Sequence, residues 1–403
     1  MMQAVSTEQG GTNQVAKMSV SIGKLTCAAL ALGLLAIGIA QAGSREQAKR
    51  MHDRIAGVPP SAAVLDQMAA EITAGRPLGA ANIAMQSSAF YNVTPKNFVA
   101  PWTNREQSVF VPLNDYTATV IGMVRDDEPF DTLLSADILY TAPGASGVAA
   151  YSPSNNDHYD QLEQTGADLR TVLVKQTQSG LNGIPAAATA GVITSRAASQ
   201  AFFIAGTNRA MFRFTLMNHL CRDMEQVLDT SRAPDRIRQD VSRSPGGDSR
   251  IFLNNCIGCH TGMDPLAQAY AFYHYDETLA RLVYTAGQVQ PKYFNNADNF
   301  KPGYVTTDDR WDNYWRKGPN QVIGWDIQLP GSGMGAKSMG QELARSDAFA
   351  QCQVEKVFKT VCFRAPANAT DRARVQVIKS DFKAGGYKLK QVFAETAAYC
   401  MGD

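Results

Sequence analysis

Five consecutive residues, Cys256-Ile257-Gly258-Cys259-His260, constrain this chain more than any other stretch. Two thiols stand three positions apart, about one helical turn, with an imidazole directly after the second. C-x-x-C-H is the spacing that attaches a c-type haem. The thiols add to the two vinyl groups of the porphyrin, and the adjacent imidazole binds the iron axially. With seven Cys and five His in 403 residues, random placement gives the pattern with an expectation on the order of one in a thousand. A zinc site needs four ligands, and the sequence holds no second Cys/His pair at ligand spacing. A thioredoxin-like pair would follow a strand in a βαβ pattern, which is not visible here. The expectation is one covalent haem c, held by Cys256 and Cys259, with His260 as the proximal iron ligand.

The N-terminus bears on the compartment. Lys24 is followed by an apolar run of about 16 residues, Leu25 to Ala40, and then by Ala40-Gln41-Ala42. That is a basic n-region, an h-region and a small-residue cleavage site. The run falls short of the roughly 20 residues a spanning helix needs, so a cleaved signal is favoured over an uncleaved anchor. The polar stretch before Met18 is unlike a signal, which points to Met18 as the working start. Cys27 lies within the h-region, away from the cleavage site, which disfavours a lipoprotein. A signal segment over 1–42 and a mature chain from about Gly43 are expected, with a periplasmic or otherwise exported location and no stable transmembrane span after cleavage. Export suits a cofactor that is attached outside the cytoplasm.

Cysteine arithmetic agrees with export. Setting aside Cys27, Cys256 and Cys259 leaves Cys221, Cys352, Cys362 and Cys400. Four thiols in an oxidising compartment can form two disulfides. Three pairings are possible, and Cys362–Cys400 with Cys221–Cys352 is the weakly preferred one. A formal net charge of +1 gives no reason to expect nucleic acid or an anionic membrane surface as a partner.

Helical periodicity dominates the rest. Helices are expected from Ser44, from Ser61 as an N-cap to Glu71, over Ala80–Phe90, from Asp115 to Val124, over Phe130–Tyr140 and over Tyr159–Lys175. A long one is expected over Phe202–Leu228, with Phe212, Leu216, Leu220, Met224 and Val227 on one face. Ser249–Asn255 leads into the motif as a helix, and another is expected after Pro265, which suits a first turn, with Asp264 as its cap. Ser338–Phe363, Asp371–Ala384 and Leu389–Cys400 complete the set. His52 reads as a surface residue, Arg232–Asp248 as a charged surface loop, and the aromatics of 284–328, including Trp311, Trp315 and Trp325, as packing. The acidic turn Arg125–Pro129 reads as a capping or solvated turn. No repeat and no long alternating pattern appears. The fold class expected is mainly α with few short strands: a helical N-terminal domain (43–190), a cytochrome c-like haem domain (191–350) and a C-terminal helical segment (351–403).

Several pieces together resemble a known group. They are Val58-Pro59-Pro60, Gly191-Val192-Ile193-Thr194-Ser195, Gly206-Thr207-Asn208-Arg209, Cys256-x-x-Cys259-His260-x-x-Met263-Asp264-Pro265-Leu266 and Gly386-Tyr387-Lys388-Leu389. The chain is similar to the planctomycete-type c-type cytochromes, large exported proteins built from domains of unknown function. The resemblance runs loosely over the mature chain and is sharp only at the haem motif. It implies a mainly α haem protein with a redox role and supplies no substrate.

The sixth iron position decides between roles. Met263 is too near His260 in sequence to reach the opposite face. Met334, in the turn Leu329–Met334, is the distal candidate, Met339 the next, and His274, His219 or an open site are the alternatives. A Met ligand raises the potential of an electron carrier. Electron transfer between periplasmic redox partners is therefore the leading expectation. A haem oxidoreductase with an open or substrate-facing iron is a second, and a haem-bearing subunit of an exported assembly is a third. The 150 or so residues before the haem region keep those two in play. No nucleophile triad or phosphate loop supports other enzymology.

Overall fold

The computed structural model describes residues 42–203, 206–294 and 301–402. The segment expected as a signal, up to residue 41, lies outside the described residues. Helix α1 (Ser44–Ala56) buries Ala48, Met51, His52 and Ile55 along one stripe. His52 is thus a core residue, not the surface histidine its polar neighbours suggest. It is 4% exposed, and its Nδ1–H donates to the Val58 carbonyl at 2.9 Å. The Ser61 hydroxyl accepts from Val64 N–H and starts α2 (Ala62–Thr73), as its position before an apolar run predicts. Where one helix over Ala80–Phe90 is expected, two form, α3 (Pro77–Ala84) and α4 (Ser88–Val99), because Ser87 is extended. Helix α5 (Asp115–Arg125) is capped by the Asn114 side chain. It is buried on every side from Asp115 to Val124, which places it at the centre of the unit.

The stretch Phe130–Tyr140 is not the expected helix. It makes one 3-10 turn, Phe130–Thr132, and ends in strand β1 (Leu139–Thr141). Its carbonyls are used elsewhere: Leu133 O accepts from Val192 N–H and Ala136 O from Gly191 N–H. Gly191 has φ +53, and a Cβ there would lie 1.9 Å from Leu133 O, so only glycine fits this approach. Strand β1 pairs antiparallel with β2 (Val174–Gln176). The helix expected over Tyr159–Lys175 stops early, as α6 (Asp157–Gln164), with Gly166 in the left-handed region behind it.

The long helix expected over Phe202–Leu228 is also divided. Helix α7 (Arg196–Phe202) ends first, and α8 (Arg209–Leu220) follows between Asn208 and Cys221, both left-handed at φ +58 and +52. Met224–Val227 is a separate 3-10 turn. Helix α9 (Ile257–Ala267) carries most of the haem motif. It runs straight through Asp264-Pro265, so Asp264 is an interior residue of the helix and not the cap of a following one. Beyond it come the hairpin β3 (Tyr273–Asp276) with β4 (Arg281–Tyr284) and the pair β5 (Arg310–Asp312) with β6 (Ser332–Met334). Ser346 caps a new helix, so Ser338–Phe363 divides into α10 (Gly335–Ala344) and α11 (Asp347–Cys362). Helices α12 (Ala369–Ala384) and α13 (Leu389–Cys400) follow.

The C-terminal helices fold back on the first ones. Helix α13 packs on α1, α3 and α11. Gln47 donates to Gly402 O at 2.8 Å, Arg50 to Met401 O at 2.5 Å and Arg54 to Cys400 O at 2.5 Å. These side chains satisfy carbonyls that the end of α13 leaves without helical partners, and the two arginines set positive charge against its negative pole. Cys221–Cys352 joins the end of α8 to α11, and Cys362–Cys400 joins the ends of α11 and α13. That is the preferred pairing. One core runs through 43–190, 191–350 and 351–403 alike. Phe90 meets Phe393 edge-on at 5.3 Å, Phe130 lies 6.2 Å from Phe349, and Phe212 lies 5.9 Å from Trp315. The three segments form a single compact unit, Ser44–Gly402. The tryptophans of 284–328 do pack: Trp311 donates to Ser338 Oγ at 2.8 Å and Trp325 to Trp315 O at 3.0 Å. No helix among the described residues is long and apolar enough to cross a membrane.

Candidate haem site

The approach to the motif is irregular. After one turn at Ser249–Ile251, residues Phe252–Cys256 form a π-helical turn, and α9 begins at Ile257. Such turns often occur at functional sites. Phe252, with Ile237 and Val241, forms a small apolar cluster against Cys256 and Ile257. Cys256 and Cys259 are both half-buried free thiols, while the other four described cysteines are in disulfides. Cys259 Sγ donates to Met224 O at 3.8 Å. Burial, helped by Cys256, Asp223 and Glu225, pushes its thiol up.

A cavity of about 580 Å³ opens beside Cys259. Met224, Leu228 and Gly258 line it together with the polar Arg213, Asp223, Glu225, Asn254 and Asn255. This is within the usual size range of cofactor sites. Leu228, Leu253 and Ile251 are 51%, 54% and 41% exposed. Leu228 lines the cavity with Cys259, whereas Ile251 and Leu253 precede Cys256 in the chain and, like Cys256 and His260, are not among the cavity's lining residues. Bare apolar side chains this close to the motif in sequence suit a flat apolar ring attached there. The donor set is also the one haem c takes. The residues present therefore fit the group that the spacing implies. Among the described residues no group of three or more His, Cys, Asp or Glu is placed to hold a metal ion by side chains alone.

His260 is 17% exposed and turns Nδ1 toward Asp264 Oδ1 at 3.0 Å, one helical turn on. Nε2 is then the nitrogen left for iron. Asp264 is fully buried. Burial is the largest influence on its carboxyl and opposes the charge, but Arg209, Arg238 and His260 together outweigh it and hold the group well below the usual carboxylate range. Arg209 donates Nε to Asp264 Oδ1 and Nη2 to Asp264 Oδ2, and reaches Asp240 with Nη1 at 2.7 Å. Arg238 is 1% exposed, with Nη2 3.6 Å from Asp264 Oδ1. The stretch expected as a surface loop thus turns two arginines, Arg236 and Arg238, into the protein.

The expected sixth ligands are placed as follows. Met334 ends β6, paired with Arg310, and is 55% exposed. Met339 lies wholly in the main core. Neither lines the cavity beside Cys259, whereas Met224 does. Met263 is buried in the core from the same helix as His260. His219 is buried, with Nε2 2.7 Å from Tyr116 Oη. Burial and then Lys356 hold its pKa well below the ordinary value. His274 sits on β3, half-buried, with its pKa lowered chiefly by burial.

Sequence reasoning missed five site residues, among them Arg209, which it quoted only within a resembling motif. Met224 was concealed by its fit to a helical stripe that the chain breaks at Cys221. Asp264 read as a cap. Arg238 and Asp240 read as loop charges, and no periodicity in Arg236–Asp240 signals their burial. Comparison with protein-family models, curated proteins and solved structures finds no match to this chain.

Proposed function

We propose that this protein is an exported monohaem c-type cytochrome, in the manner of the planctomycete-type proteins it resembles, which transfers electrons between periplasmic redox partners. Cys256 and Cys259 hold the haem covalently, and His260 is its proximal ligand. One observation carries this reading. Among the described residues the two cysteines outside the disulfides, Cys256 and Cys259, stand at the start of the helix that carries His260, and Cys259 lines a cavity with Met224 and Leu228. Haem held there supplies a one-electron couple. The chain's own part is to position it. The π-helical turn and α9 set the thiols and imidazole on one segment. Leu228, Leu253 and Ile251 offer apolar surface to the ring. Asp264 orients the imidazole. The two disulfides brace the helices behind.

Met334 is the distal ligand proposed from sequence. Its exposure on β6, and the place of Met224 in the cavity wall, favour two further possibilities: Met224 as sixth ligand, or an open iron serving an oxidoreductase. Carbon monoxide separates them. A carrier closed by a side chain binds CO slowly in the ferrous form and shows a Met–iron charge-transfer band in the ferric form. Loss of that band in Met334→Ala or in Met224→Ala names the ligand. Rapid CO binding in the parent protein contradicts the carrier reading and favours the oxidoreductase.

A further inference from the structure

Asp264 and the two arginines on it form a cluster that electron transfer by itself does not require. Its carboxylate is 0% exposed and is engaged at both oxygens. Arg209 donates to Oδ1 at 2.8 Å and to Oδ2 at 3.0 Å, and the Arg238 backbone N–H donates to Oδ2 at 3.3 Å. Asp240 takes the remaining donors of Arg209, Nη1 at 2.7 Å and Nη2 at 2.8 Å. Two carboxylates and two guanidiniums thus balance in charge, and the Asp264 carboxylate is held at both oxygens. Held so, its Oδ1 lies 3.0 Å from Nδ1 of His260.

An imidazole facing a carboxylate carries its proton on the facing nitrogen, and its other nitrogen becomes a stronger donor to a metal. A backbone carbonyl in the same place would accept the proton bond without contributing charge. We infer that Asp264, clamped by Arg209 and counterbalanced through Asp240, is a positioning residue that fixes His260 as the Nδ1–H tautomer and lowers the reduction potential of the iron it binds. The inference rests on the haem reading of Cys256–His260. It deepens that reading by locating the potential-setting device in the buried cluster rather than in the axial methionine alone.

The same cluster explains why a buried, charge-dense group can stand beside an apolar ring site. An isolated carboxylate there would be costly. With the arginines in place it is a fixed acceptor that cannot swing away when the iron changes charge. The ferric state, one charge more positive, is favoured by the added electron density. Arg209 trims the effect by competing for the same oxygens.

The test uses the full-length exported protein, isolated with its haem, as parent, Asp264→Asn and Asp240→Asn. Haem staining after denaturing electrophoresis checks the footing. The midpoint potential and the low-field His260 Nδ1–H NMR signal of the ferrous protein check the inference. Asp264→Asn should raise the midpoint potential and move the Nδ1–H signal upfield. Asp240→Asn removes an equal charge without touching His260. It should raise the potential by less and leave the Nδ1–H signal nearly in place. Equal rises in both variants with an unmoved signal in Asp264→Asn would reduce the cluster to plain charge and overturn the inference. If Asp264→Asn does not accumulate, an unchanged or lowered potential in Asp240→Asn overturns it. A chain that carries no haem fails the footing instead.

Discussion

Arg209 grips Asp264 with two parallel hydrogen bonds, Nε to Oδ1 at 2.8 Å and Nη2 to Oδ2 at 3.0 Å. The pair links the start of α8 to the C-terminal half of α9, 55 residues apart in sequence, and so ties the scaffold to the helix that carries Cys259 and His260. Asp264 has no exposure to water through which to recover lost partners. Arg209→Ala should therefore destabilise the protein by about 3–5 kcal/mol, the usual cost of breaking a buried ion pair from one side. Arg209→Lys should recover only part, since an ammonium cannot make the two-pronged contact. The urea midpoint of the three proteins reads this directly, and an Arg209→Ala midpoint equal to the parent's contradicts it.

Gly262 lies against Trp315. A Cβ at that position would sit 1.9 Å from the ring Nε1 and 2.3 Å from Cε2. The ring is fully buried and cannot retreat. Gly262→Ala should cost about 1–3 kcal/mol by overpacking, while Gly144→Ala, with nothing within 4 Å, should stay within about 0.5 kcal/mol of the parent. In a double-mutant cycle with Trp315→Phe the two changes should couple. Additive effects in thermal unfolding would place the clash elsewhere.

The disulfides close loops of 131 and 38 residues. Chain entropy assigns about 5 and about 4 kcal/mol to them respectively. Cys362→Ala with Cys400→Ala should lower stability by roughly 2–5 kcal/mol, and Cys221→Ala with Cys352→Ala by at least as much. Mass mapping of the unreduced protein should find these two pairings, with Cys256 and Cys259 in neither.

Burial lowers the Lys292 ammonium from 10.5 to about 8. It donates to Phe203 O at 3.1 Å and to the Asn208 side chain. Its folded pKa lies below its unfolded value, so between about pH 8 and pH 10 the unfolded chain holds a proton that the folded one lacks. Stability then rises with pH across that window. Below pH 8 the cost is fully present, up to roughly 3 kcal/mol at 1.36 kcal/mol per unit. Lys292→Met should flatten the rise measured by urea unfolding from pH 7.5 to 10. An unchanged slope would show that Lys292 keeps its proton in the folded state.

The parts of the fold legible in the sequence were those governed by local chemistry. Ser61 announced α2, and the C-terminal periodicity gave α12 and α13 nearly to the residue. The preferred disulfide pairing stands in the structure. Some misses are local, as where Ser87, Gly166 and Ser346 break expected helices; in others a tertiary partner takes over groups that a local pattern assigns. The carbonyls of Leu133 and Ala136 went to Val192 and Gly191, so Phe130–Tyr140 did not become a helix. Cys221 turned left-handed at the end of α8, beside its bond to Cys352, and moved Met224 from a helical stripe to a cavity wall. In the candidate site, Cys256, Cys259 and His260 can be proposed from sequence because the chemistry of that motif depends on adjacency. Arg209, Arg238 and Asp240 cannot, because their contacts arise only when the chain brings them to Asp264.

The most direct measurement is covalent haem itself. The full-length protein, expressed in a host that exports it and attaches c-type haem, should give a haem-staining band at its own mass after denaturing electrophoresis. Cys256→Ala with Cys259→Ala should abolish the stain while the chain remains present. A parent chain that is exported in full yield and stays unstained would contradict the assignment.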